Sequence, residues 1–216
     1  MSASKWFEAC GIVAWPLLAF SILALALIAE RLVFWYQVNR RQRRVVREVF
    51  KTYPHDPQAA LIWLKKNADL PIARIFLEAL ELKRPSPEKI RLALDSAVQA
   101  ELPTLKRFST VFDTIISISP LLGLLGTVLG LITAFGSLTL GDVGGTKTAG
   151  VTAGISEALV STASGLVVAL ITLLFANSFR GFYLREIARI QEYGGQLELL
   201  YIERYEQGDV AYAPTR

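Results

Sequence analysis

Three long stretches without a charged residue constrain this chain more than any other feature of its sequence. They cover residues 9–29, 114–141 and 158–179. A helix needs about 20 consecutive apolar residues to cross the hydrocarbon core of a bilayer, so each stretch is long enough to span it. The sequence therefore predicts an all-α membrane protein with three transmembrane helices.

The composition agrees with that fold class and excludes several others. Only 19% of the residues are charged and 52% are apolar, whereas a soluble domain carries about 25% charged residues. The single cysteine, Cys10, cannot form a disulfide within the chain, and the single histidine, His55, lies in a proline-bounded turn that we expect to be exposed to solvent. Without a cluster of Cys and His we expect no metal or cofactor, and the placement of the charges argues against a nucleic-acid partner.

Positive charge is concentrated on one side of the predicted spans. Residues 30–113 hold 16 of the 23 Lys and Arg residues, including Arg40, Arg41 and Arg43, whereas residues 142–157 hold one. Positive loops stay in the cytoplasm. We therefore expect a cytoplasmic large loop and C-terminus and an N-terminus on the other side. A signal peptide is the alternative for the first stretch, but the arginines that follow it are typical of a stop-transfer segment.

Helical periodicity continues beyond the spans. From Pro87 apolar residues recur in steps of three and four into the second span, and we expect Pro103 to kink this helix without ending it. After the third span a similar seam runs from Tyr183 through Ile190 to Tyr201. Two of the three transmembrane helices are therefore predicted to extend as long helices into a cytoplasmic helical bundle. The predicted segments are transmembrane helix 1 (9–29), a cytoplasmic helical loop (30–113), transmembrane helix 2 (114–141), a periplasmic loop (142–147), transmembrane helix 3 (148–179) and a cytoplasmic C-terminal helix (180–216).

Small residues form faces on the second and third spans. Gly126 and Gly130 have GxxxG spacing, and Gly154, Ser161 and Gly165 share one face of the third span. Such faces are typical of helices that pack closely within a membrane.

Glu157 lies on the same face of the third span and has two possible roles. If the helix begins near Thr148, this carboxylate lies roughly 13 Å inside it, where a charge costs about 2.5–3.5 kcal/mol and needs polar neighbours. Ser161, Ser164 and Thr127 are available, which favours an ion-handling role. The alternative is an interfacial glutamate near the helix N-terminus.

The chain is not expected to be an enzyme, because it has no nucleophile–base pair, metal cluster or phosphate loop. The glycine-rich segment 144–148 only superficially resembles a nucleotide-binding loop, since it lacks the glycine at Walker spacing. A passive membrane scaffold, whose small-residue faces serve only assembly, stays open.

Two motifs carry a resemblance to a known family. SPLLGLLGTV at 119–128, followed by GISEALVSTA at 154–163, resembles the MotA/TolQ/ExbB proton-channel family, and its ExbB branch most closely. The resemblance implies an ion pathway through Thr127, Glu157 and Thr162. Relatives often have a proline soon after Ala169, whereas this chain continues with residues 170–172, so a bend in the inner half of the third span is in doubt.

The resemblance also implies partners and a function. It suggests a homo-oligomer, which in relatives is a pentamer, that surrounds a dimer of an ExbD- or TolR-like single-span protein. The complex would lie in the bacterial inner membrane, in contact with membrane lipids. This complex would use the proton motive force to energise TonB-dependent transport across the outer membrane through a TonB-like protein. A TolQ-like role in the Tol-Pal system with a TolA-like protein is the alternative, and the sequence does not separate H⁺ from Na⁺.

Overall fold

The structure of the chain, a computed structural model, describes residues 11–83, 85–136 and 147–208. In these ranges all regular secondary structure is helical. One 3₁₀ turn, Gly11–Val13, is followed by six α-helices: α1 (Ala14–Thr52), α2 (Pro57–Lys66), α3 (Pro71–Leu80), α4 (Pro87–Leu105), α5 (Ser109–Gly136) and α6 (Lys147–Glu206). Three of the helical stretches are long and apolar enough to cross a membrane. The predicted all-α membrane protein with three spans is confirmed.

Some predicted features fall outside the part of the chain that the structure describes. Cys10 precedes it, and residues 142–146 of the predicted periplasmic loop, with most of the glycine-rich segment 144–148, fall in the gap between α5 and α6. Lys147, the last residue of that predicted loop, is the first residue of α6. His55 is described, and it is exposed in the turn between α1 and α2, as the sequence predicts.

The chain forms two compact units. The first, which we call the membrane unit, comprises Met1–Arg31 and Phe108–Phe179, and the second, the helical unit, comprises Leu32–Arg107 and Arg180–Arg216. Large apolar side chains on the outside of the membrane unit are exposed, among them Leu124, Phe135 and Leu170. An exposed apolar surface of this kind is typical of helices that face lipid.

Local signals in the sequence explain the helix boundaries in the helical unit. Pro57, Pro71 and Pro87 each occupy the first position of a helix, where a missing N–H costs nothing. Asp56 caps α2 by accepting a hydrogen bond from the N–H of Ala59 at 3.0 Å. These local signals explain why α2, α3 and α4 begin where they do.

The core of the helical unit includes aliphatic and aromatic side chains from α2, α3 and α4. Leu64, Ile72, Phe76 and Ile90 are fully buried. Next to this core the guanidinium of Arg74 on α3 donates two hydrogen bonds to the carboxylate of Glu101 on α4, at 2.5 and 2.6 Å. This bidentate pair raises the pKa of Arg74 and links the two helices.

The prediction that one helix continues through Pro103 into the second span is wrong. α4 ends at Leu105, two residues after the proline, and α5 begins at Ser109. Pro103 lies inside α4, which continues for two residues beyond it, and the chain turns at residues 106–108, where Phe108 has a positive φ of 67°. The two long helices that extend beyond the predicted spans are instead α1, which reaches Thr52, and α6, which reaches Glu206.

The seam predicted in the C-terminal helix is confirmed by burial. Ile190, Leu197 and Tyr201 are all less than 5% exposed, and the hydroxyl of Tyr201 donates to the carbonyl of Pro85 at 2.6 Å. Gly194 and Gly195 do not interrupt α6. α6 therefore serves as a packing element of the helical unit over its C-terminal half.

Candidate functional site

Glycines bring α5 and α6 into backbone contact inside the membrane unit. A Cβ atom added to Gly130 would lie 2.8 Å from the carbonyl oxygen of Gly154, and one added to Gly154 would lie 2.7 Å from the carbonyl oxygen of Gly130. Real Cβ atoms essentially never approach closer than 3.0 Å. The close packing expected from the small-residue faces is thus confirmed.

The same helix pair buries two serine hydroxyls. Ser161 on α6 lies against Gly126, whose added Cβ would be 2.5 Å from the Cβ of the serine, and its hydroxyl donates to the carbonyl of Ala158 at 2.9 Å. Ser119 on α5 is fully buried, and its hydroxyl has no hydrogen-bond partner among the described residues. Polar groups are thus enclosed in an otherwise apolar helix pair.

Thr162 makes a hydrogen bond between the two helices. Its hydroxyl donates to the carbonyl oxygen of Gly123 at 3.0 Å, and the side chain is half-buried. Gly123 is tightly packed here, since its added Cβ would be 3.0 Å from the Cα of Thr162. The hydroxyl therefore fixes α6 against α5 one residue from the Ser161–Gly126 contact.

Thr127, unlike Thr162, makes its hydrogen bond within its own helix. It is half-buried, and its hydroxyl donates to the carbonyl of Leu124 in its own helix at 2.6 Å. The hydrogen bonds of the described residues do not join Thr127, Glu157 and Thr162 into one cluster. Thr127 and Thr162 nevertheless each follow a residue of the Gly126–Ser161 contact, so the two threonines flank one point of the helix pair.

Glu157 lies well inside α6. The helix begins at Lys147, so at about 1.5 Å per residue the glutamate is roughly 15 Å from its first residue. The glutamate therefore lies beyond the first turn of α6, and its role stays a prediction. The side chain is half-buried, and its carboxylate can accept hydrogen bonds or take up a proton.

The carboxylate of Glu157 lies against Gly11. A Cβ added to Gly11 would overlap Oε1 of the glutamate, and Gly11 has a positive φ of 58°. Because the first helical turn starts at this glycine, the positive end of its dipole lies beside the carboxylate. Sequence reasoning missed Gly11, since one glycine at the start of an apolar stretch carries no signal of its own.

We expect Gly11→Ala to displace the carboxylate of Glu157 and to destabilise the protein. The new methyl group would displace the carboxylate, and alanine at a positive φ adds about 1–2 kcal/mol of strain. The free energy of unfolding in detergent should fall by at least that amount. Glu157→Ala removes the overlapping atoms, so a double-mutant cycle should show the cost of Gly11→Ala falling to the backbone strain alone. Additive effects of the two substitutions would contradict this contact.

No group of three or more His, Cys, Asp or Glu side chains in the described ranges is arranged to hold a metal ion. In the uncharged stretch of α5 that begins at Thr114 and in residues 150–179 of α6, the side chains that exchange protons are the carboxylate of Glu157 and several hydroxyls. These groups exchange protons and hydrogen bonds, and they lie along a helix pair that is otherwise apolar.

Comparison with known proteins gives a consistent result. The model of the MotA/TolQ/ExbB proton channel family matches residues 67–192. The chain is 59% identical over 207 residues to biopolymer transport protein ExbB-like 3 of Synechocystis, covering 95% of this chain and 99% of the relative. It is 38% identical over 194 residues to ExbB-like 1 of the same genus, covering 89% and 76%. It is 35% identical over 133 residues to the Tol-Pal system protein TolQ of Haemophilus influenzae, covering 57% of this chain and 55% of the relative.

Proposed function

This chain belongs to the MotA/TolQ/ExbB proton channel family, and from that premise we propose that it is the proton-conducting subunit of an inner-membrane complex that energises transport at the outer membrane. The family and the three apolar helices make it a multi-pass inner-membrane protein with a proton-channel-type role. The specific pathway, the partners and the ion-pathway residues are part of the proposal.

The observation that carries the proposal is the position of Glu157. A carboxylate inside a membrane helix is costly, and such residues mark ion and proton pathways. This one lies about three helical turns from the start of α6, on the helix that packs through Ser161 and Thr162 against the glycines of α5. Its half-buried side chain leaves it accessible from outside the single chain.

The mechanism that we propose is the one that membership of the family implies. We place Thr127, Glu157 and Thr162 along the ion pathway, where hydroxyls donate or accept hydrogen bonds as the carboxylate gains and loses a proton. Several copies, as a pentamer, would surround a dimer of an ExbD- or TolR-like single-span protein that carries a membrane acid. Each proton transfer would neutralise one acid, shift the favoured orientation of the partner and deliver work to a TonB- or TolA-like protein.

Two branches of the family offer different pathways. The similarity to ExbB-like relatives over nearly the whole chain favours TonB-dependent transport across the outer membrane. The similarity to a Tol-Pal system protein supports a TolQ-like role as the second candidate. The identity of the co-purifying single-span partner separates them.

Native mass spectrometry of the gently extracted chain tests the assembly. We expect a pentamer that carries about two copies of a small single-span protein with one acidic residue in its span. Its sequence would also assign the pathway. A monomer or dimer without such a protein would contradict the proposal and favour a passive scaffold, in which the glycine faces pack only within one chain.

A further inference from the structure

A cavity of about 700 Å³ lies in the helical unit, between residues 32–39 of α1 and 182–189 of α6. Leu32, Val33 and Tyr36 line it on α1, and they are 45%, 57% and 62% exposed. Apolar side chains on this wall are thus not covered by the chain's own core.

The far end of the cavity is polar, and not all of its polar atoms have hydrogen-bond partners among the described residues. Nη1 of Arg189 donates to Oδ1 of Asn39 at 3.1 Å, but lies 3.7 Å from Oε2 of Glu186, beyond hydrogen-bond distance. Glu186 is 2% exposed, and its Oε1 has no hydrogen-bond partner among the described residues. Burial raises the pKa of Glu186, while the adjacent Gln42 and the charge of Arg189 lower it by less.

Arg185 adds an accessible cation to the same end. Its guanidinium lies 5.8 Å from the ring centroid of Phe182, and in the described ranges it forms no ion pair. A guanidinium presents a planar fork of donors that matches a phosphate group. Arg185 and Arg189 together outnumber the single carboxylate in the lining, so the cavity favours an anion.

The position of the cavity along the chain points to the membrane surface. Leu32 and Phe182 each follow the predicted end of an apolar span by three residues, which is about 4.5 Å along a helix. The headgroup layer occupies this depth. Trp35 and Tyr36 line the cavity as well, and Trp and Tyr are enriched at that interface.

We propose that this cavity binds an anionic phospholipid from the leaflet at that end of the spans. Its phosphodiester contacts Arg185 and Arg189, and the start of its acyl chains lies along Leu32, Val33 and Tyr36. Basic pockets between membrane helices are known to hold anionic headgroups. The exposed apolar wall continuous with the charged end favours a lipid over a free phosphate, which would leave that wall uncovered.

Lipid retention by the full chain in its purified complex tests the proposal. Native mass spectra are recorded after titration with phosphatidylglycerol, with phosphatidylcholine of the same chains, and with glycerol 3-phosphate as a headgroup without chains. We expect phosphatidylglycerol to be retained in preference to both. Arg185→Gln should weaken the binding of phosphatidylglycerol about fivefold, because one arginine near a membrane surface increases the affinity for anionic lipid by about that factor.

Arg43→Gln is the matched control. Like Arg185, Arg43 is an exposed arginine without an ion pair in the described ranges. It lies on α1 and does not line the cavity. Arg43→Gln should leave the retention of phosphatidylglycerol unchanged. Arg185→Gln affects an exposed side chain, so the fold is expected to persist, and Arg185→Lys should restore part of the binding.

Four outcomes would overturn the proposal. Equal retention of the two lipids would remove the charge selectivity, and equal loss in both glutamine variants would indicate an effect of net charge alone. Binding of glycerol 3-phosphate as tight as that of the lipid would assign the cavity to a free anion. A second copy of this chain or a partner helix bound in the cavity would also exclude the lipid. Phosphatidylglycerol would then be retained only after that helix had been removed.

Discussion

Glu157→Gln is expected to leave the complex assembled and to reduce proton flux at least about 100-fold. Glutamine keeps the size and hydrogen-bonding capacity of the side chain but cannot carry a proton, and a positioned acid or base contributes about 10²–10⁴-fold to proton transfer. The measurement is acidification of proteoliposomes that contain the chain and its single-span partner, with energised uptake in cells as the second readout. Native mass spectra of the variant establish that the assembly is intact.

Glu203→Gln is the control for this experiment. Glu203 lies on the same helix, is exposed and belongs to the helical unit, so the same change there should leave flux unaltered. Normal flux or uptake with Glu157→Gln would remove Glu157 from the pathway. Together with a silent Thr127→Val variant, it would favour the passive scaffold.

Gly165→Ala is expected to lower the free energy of unfolding by about 1–3 kcal/mol, the usual cost of overpacking. The added methyl group would overlap the carbonyl oxygen of Ser119 and lie 3.1 Å from the Cα of Gly123. These are backbone atoms of α5, so the two helices must separate to accommodate it. Denaturant titration in detergent micelles measures the change, and loss of the assembled complex is the expected consequence in cells.

Gly195→Ala provides a control on the same helix. Nothing lies within 4 Å of a Cβ added there, so the exchange should raise stability by about 0.5–1 kcal/mol through helix propensity alone. The two substitutions should thus have opposite signs. If Gly165→Ala were also stabilising, the backbone contact between α5 and α6 would not contribute to the fold.

The sequence predicts the spans and the helix-pair motifs because hydropathy and residue size are local properties. The uncharged stretches need only be counted, and Gly130 and Gly154 identify a close-packing face wherever the partner helix lies. The C-terminal seam is found for the same reason, since the burial of Ile190 and Leu197 follows from their spacing.

Other features depend on contacts that a local pattern does not contain. The contact between Gly11 and Glu157 joins residues far apart in the chain, and neither residue identifies the other. The break after Leu105 requires a positive φ at Phe108, a conformation that a bulky aromatic residue rarely adopts. Pro103 alone is compatible with either a kink or a break, and the surrounding structure decides between them.

The backbone contact between α5 and α6 also limits how this protein can evolve. Every single-nucleotide change that replaces a glycine by another amino acid adds at least one carbon atom, and at Gly130, Gly154 and Gly165 the space for that atom is already occupied. Lipid-facing neighbours such as Leu124 can exchange among apolar residues in many small steps. Genetic drift is therefore expected to leave the glycines almost untouched while the outer faces of the same two helices diverge freely.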